Sequence, residues 1–135
     1  MRKNIIIVII LLMVVVMVSC QKDSKPVIPS ISFKKGLGYT SIDDTIAKGS
    51  VLKIGIIASK AEKTEVLTKL TKMVTYDNTI DSPATVIPIL TNSIDSFSQD
   101  YTISTRNIPG TEKYVFTIYD QSGTSNSVKL TIRTE

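Results

Sequence analysis

Tyr114-Val-Phe-Thr-Ile-Tyr-Asp-Gln-Ser-Gly-Thr-Ser-Asn-Ser-Val-Lys-Leu-Thr-Ile-Arg-Thr-Glu135 decides the fold. Tyr114, Phe116 and Ile118 alternate with outward residues, as do Val128, Leu130 and Ile132, and this period of two is that of strands with one buried face. Asp120-Gln121-Ser122-Gly123 between them is a turn, so the stretch reads as a β-hairpin. Asn107 to Glu112 before it, with Pro109 and Gly110, reads as a corner.

Further upstream the same grammar recurs. Phe97, Tyr101 and Ile103 alternate with polar residues, and Ala84 to Leu90 is a short run broken by Pro88, which suits a sheet edge. In Val51-Leu-Lys-Ile-Gly-Ile-Ile-Ala-Ser59, one face carries Leu52, Ile54, Ile56 and Ala58. Ile31 and Phe33 mark a first strand. Gly36-Leu37-Gly38 lacks the third glycine and following helix of a phosphate loop and reads as a turn.

Residues 59–74 are open to two readings. Ser59-x-x-Glu62 fits a helix capping box, with Val66, Leu67, Leu70, Met73 and Val74 at helical spacing. Thr64, Thr68, Thr71 and Thr75 favour a strand instead, and a strand over Leu67 to Tyr76 agrees better with the β-rich remainder. About seven strands at intervals of about ten residues predict an all-β, two-sheet Greek-key sandwich. Its expected core is Phe33, Leu52, Ile54, Ile56, Leu70, Phe97, Tyr101, Ile103, Tyr114, Phe116, Ile118, Val128, Leu130 and Ile132.

Pro109-Gly110, then Tyr114-x-Phe116-x-Ile118-x-Asp120-x-x-Gly123, closing with Ser127-Val128-x-Leu130-x-Ile132, resembles the last two strands of immunoglobulin-like sandwiches of the polycystic-kidney-disease and bacterial Ig-like type. The resemblance implies a tyrosine corner at Tyr114, two residues before the inner Phe116. The chain has no Trp, so the core of an antibody domain is not implied.

The amino terminus sets the expected address. Arg2 and Lys3 precede an apolar run of fourteen residues from Ile5 to Val18, closed by Ser19-Cys20. As a helix that run spans about 21 Å, short of the roughly 30 Å of a bilayer core, so it reads as a cleaved secretory signal. Met17-Val18-Ser19-Cys20 resembles a bacterial lipoprotein box, which implies cleavage between Ser19 and Cys20 and a diacylglycerol on the Cys20 sulfur. The expected organisation is a signal over 1–19, a lipidated tether over 20–29 and an Ig-like domain over 30–135. Gln21-Lys22-Asp23 resembles the start of the surface-export signal of Bacteroidota lipoproteins, although Ser24 and Lys25 stand where further acids would follow. The expected location is the outer membrane, at the cell surface, with the periplasmic face left open.

The full chain of 135 residues has formal charge +4, and without Arg2 and Lys3 fourteen basic residues face twelve acidic ones. That scattered excess does not predict nucleic-acid binding. With no His and one Cys, the usual soft metal sites and His-dependent nucleophilic triads have no residues to form from, and no cofactor or metal is expected. Asp43, Asp44, Asp77, Asp81, Asp95 and Asp120 in predicted loops could converge on calcium, but Asp is also common in turns for its own hydrogen bonds. Asp44-Thr45-Ile46 resembles the short O-glycosylation acceptor of Bacteroidota, which implies Thr45 as a modification site. Tyr39, Tyr76 and Tyr119 are candidate sugar-stacking rings. Two functional classes follow: a non-catalytic binding or structural module meeting an envelope protein or polysaccharide, such as an accessory to glycan uptake, or an enzyme using carboxylates alone. Glu62, Glu65, Glu112 and Glu135 lie in no recognisable catalytic motif, so the module is the expectation.

Overall fold

Strand β3 (Val51–Ser59) buries Leu52, Ile54, Ile56 and Ala58 and turns Val51, Lys53 and Ile57 outward, as alternation requires. The computed structural model describes residues 27–80, 84–89 and 95–135. The expected signal, the Ser19-Cys20 junction, most of the tether, and Asp81 lie outside the described residues. Besides β3, the strands are β1 (Ser30–Phe33), β2 (Asp44–Ile46), β4 (Leu67–Tyr76), β5 (Thr79–Ile80), β6 (Thr85–Pro88), β7 (Ser96–Ser104), β8 (Gly110–Asp120) and β9 (Ser125–Thr134).

They form two sheets, β1-β3-β7 and β2-β9-β8-β4-β5, with β6 also pairing β4. The chain crosses between sheets after β1, β2, β3, β6 and β7, which makes the molecule an Ig-like Greek-key sandwich. All pairings are antiparallel except β2 with β9. β1 lies at the edge of the smaller sheet, and the chain then crosses to run alongside the last strand of the larger one.

Among the described residues, nine strands stand where about seven were expected, because two short pieces add themselves to sheet edges. β2 occupies only three residues and begins at Asp44, which the sequence placed in a loop. β5 returns on β4 through Asp77 and Asn78, both at positive φ, the geometry of a tight two-residue hairpin turn. β6 pairs Lys69–Lys72 further along the same β4 edge and ends at Pro88.

The fork over 59–74 resolves as a loop followed by the strand Leu67–Tyr76, and its helical look has a structural cause. A bulge between Leu67 and Lys69 shifts the register against β8. Leu67 and Leu70, three residues apart, consequently both face inward and are buried. Thr68, inside the bulge, donates its hydroxyl to the carbonyls of Tyr119 and Asp120.

Between the sheets, Leu52, Ile54, Ile56, Ala58, Leu67, Leu70, Tyr114, Phe116, Ile118, Leu130 and Ile132 form the buried core. Phe33, Phe97, Tyr101, Ile103 and Val128 pack against it half-buried, so every residue of the expected core lies in it or on its margin. The Phe116 ring is central, meeting Phe33 edge-on at 6.2 Å and Tyr101 at 5.4 Å between centroids. Asp120 closes the inner row of β8: its Oδ1 accepts from the Thr124 N–H at 2.7 Å and the Ser122 hydroxyl at 2.8 Å, satisfying a buried carboxylate at the hairpin.

Candidate functional site: a polar groove beside β2

Because Glu112, Tyr114 and Phe116 face inward, Thr111 and Lys113 face out, and the same parity turns Thr131 and Arg133 outward on β9. Register then sets lateral neighbours. Arg133 lies opposite Thr45 on β2 and Thr111 on β8, a Thr-Arg-Thr row across three strands. One step along β9, Thr131 donates its N–H to Asp43 Oδ1 at 2.8 Å, which draws the segment before β2 onto the sheet. Asp44 Oδ1 accepts from the Thr45 N–H at 2.8 Å.

Asp43, Asp44, Thr45, Thr111, Thr131 and Arg133 together line an open groove of about 400 Å³. Each aspartate commits one oxygen to a backbone N–H, and Arg133 makes no ion pair among the described residues. Acceptors, a guanidinium and three hydroxyls therefore share one concavity without being consumed by one another. Thr45 is exposed there.

The other charged clusters are internally satisfied. On the outer face of the smaller sheet, Asp100 binds Lys34 Nζ at 2.6 Å, the Tyr39 hydroxyl at 2.8 Å and Lys53 Nζ at 3.2 Å. These donors, Lys34 foremost, hold its carboxyl down at about 2. Asp100 in turn raises the Lys53 ammonium. The Lys34 stem crosses Gly55 so closely that a Cβ there would sit 2.5 Å from Lys34 Cδ.

At the β7–β8 corner, the buried Glu112 takes the Arg106 N–H on Oε1 at 2.6 Å and the Arg106 Nε at 3.3 Å, while Oε2 accepts from the Tyr114 hydroxyl. Arg106 also reaches Asp77 Oδ2 at 2.9 Å, and Asp77 Oδ1 accepts the Thr111 N–H at 2.7 Å. That N–H first and Arg106 second lower the Asp77 carboxyl. The resemblance to Ig-like sandwiches implied a tyrosine corner at Tyr114; here its hydroxyl reaches the upstream backbone through a glutamate. Glu112 carried no sequence signal beyond its inward parity with Tyr114.

The predicted acidic residues do not converge. Asp43 and Asp44 share the groove, Asp77 serves the corner, Asp95 pairs with Lys60 and Asp120 caps the β8–β9 turn. Among the described residues, no three His, Cys, Asp or Glu side chains come together as a metal site. The three candidate tyrosines are also apart, and each ring already faces a cation: Lys53 over Tyr39 at 4.6 Å, Arg106 over Tyr76 at 4.5 Å and Lys69 over Tyr119 at 4.6 Å.

No family model and no curated protein sequence matches this chain. A solved structure of a family 123 glycoside hydrolase from Clostridium perfringens is similar over 79% of this chain, with TM-score 0.51 and 11% identity, and this chain spans 27% of that one. Fibronectin(III)-like modules of Clostridium thermocellum CbhA align with 78% of this chain and 97% of their own length, at TM-score 0.41 and 12% identity. At such identities the likeness to the hydrolase concerns fold alone.

Proposed function

We propose that the chain is a non-catalytic envelope lipoprotein: a signal over 1–19 is removed, Cys20 carries lipid, residues 20–29 form a tether, and the sandwich over 30–135 is held at the outer membrane as a binding or structural module. The observation that carries this reading is the joining of the Met17-Val18-Ser19-Cys20 box to an Ig-like body with uncommitted polar groups on its surface. A carboxylate-only enzyme is the rival. Against it, Asp43 and Asp44 each hold a backbone N–H, and both oxygens of the buried Glu112 are engaged in a structural corner, so none of these three carboxylates is free on both oxygens.

Detergent-phase partitioning tests the anchor. Wild type should enter the detergent phase, with an intact mass equal to polypeptide from residue 20 plus lipid, and Cys20→Ser should stay aqueous. Equal partitioning of the two would overturn the anchor. Protease added to intact cells should digest the protein if it is surface-displayed, whereas loss only after lysis would place it on the periplasmic side.

A further inference from the structure

We propose that the groove between β2 and the outward face of β8–β9 binds a neutral saccharide through adjacent hydroxyl groups. This rests on reading the domain as a binding module and adds the ligand class. Asp43 and Asp44 each have one oxygen with no protein donor among the described residues, while the other is fixed by a backbone N–H. The carboxylates are thus oriented without being used up. Arg133 shares the groove but stays out of ion-pair range of both.

That spacing decides the ligand chemistry. Opposite charges that line one concavity without touching leave a gap that water fills, and a vicinal diol can replace that water by donating to a carboxylate and accepting from the guanidinium. Thr45 and Thr111 flank Arg133 in register, adding hydroxyls that both donate and accept. A free anion would meet two carboxylates, and a metal cation would meet the guanidinium, so a neutral polyhydroxylated ligand suits the mixed lining best. The groove is open, and the ligand would lie along it.

Amide spectra of the full chain test this in a detergent without a sugar head group, titrated in turn with mannan-, glucan- and xylan-derived oligosaccharides, calcium chloride and inorganic phosphate. The expected result is a saturable shift of the amides of residues 43–45, 111, 131 and 133 with at least one saccharide. Arg133→Ala and Asp44→Asn should each weaken that binding about tenfold or more, since each removes a charge-assisted hydrogen bond. Lys129→Ala, elsewhere on β9, should leave it unchanged. The proposal is overturned if the dispersed spectrum of the folded chain ignores every saccharide, if only calcium or phosphate moves these amides, or if both groove variants bind as wild type does. Failure here leaves detergent partitioning intact, whereas loss of the anchor would leave the groove titration intact.

Discussion

Substituting Tyr114 by Phe deletes one oxygen and should cost about 1.5–3 kcal/mol, the usual worth of a hydrogen bond to a charged acceptor. The lost bond ends on Oε2 of Glu112, a side chain almost wholly inaccessible at 1% exposure, so water cannot take its place without opening the corner. For a domain of about a hundred residues, 1 kcal/mol corresponds to about 4 °C, so the melting temperature should fall by about 6–12 °C. Glu112→Ala should cost more, about 3–5 kcal/mol, because it strands the Arg106 N–H as well as the phenol and leaves a hole. Urea unfolding followed by circular dichroism measures both variants, since the chain has no Trp to report by fluorescence. In a double-mutant cycle the pair should show a coupling of at least 0.5 kcal/mol. Additive effects, or a Tyr114→Phe midpoint within about 0.5 kcal/mol of wild type, would refute the view that Glu112 relays the tyrosine to the corner.

Phe116→Ala should lose about 3–5 kcal/mol, read by the same unfolding curves, because its ring is fully buried between Phe33 and Tyr101. Tyr101→Phe should instead stabilise by about 1 kcal/mol, since the Tyr101 hydroxyl is buried with no partner among the described residues. Burial pushes that phenol up to about 12, and burial together with Glu112 raises Tyr114 as well. Unfolded tyrosines ionise near 10, so their contribution is complete below about pH 10 and is lost as pH rises towards the folded values; melting temperatures between about pH 9 and 12 should show the fall. Asp100 has the opposite sign: held at about 2 against 3.8, it stabilises above the unfolded value and loses that contribution as pH falls from about 4 to 2. An acid titration in which Asp100→Asn loses stability over that interval as steeply as wild type would contradict the Lys34–Tyr39–Lys53 arrangement.

Alternation along β3, β8 and β9 was readable in the chain because inward and outward facing is a local property of extended backbone. Those strands account for most of the core, from Leu52 to Ile132. Segment 59–74 was harder, since a bulge that puts Leu67 and Leu70 on one face mimics the spacing of a helix. β2 and β5 escaped notice for another reason: pieces of three and two residues carry almost no period and exist only because a longer strand offers them an edge. The groove was legible only in fragments. Asp43, Asp44 and Thr45 stood out as residue types, but nothing local linked them to Thr131 and Arg133 nearly ninety positions later.

The amino-acid sequence by itself determined an all-β chain, the inward set of its long strands and the cysteine box on which the expected address rests. Tertiary structure alone decided who stands beside whom: Thr45 next to Arg133, Glu112 beneath Tyr114, a lysine or arginine over each candidate tyrosine ring. The division has a physical cause. Which way a side chain faces is set by two bonds of its own backbone, whereas its lateral neighbour is set by strand order, which emerges only when distant segments close long loops and bury a common core.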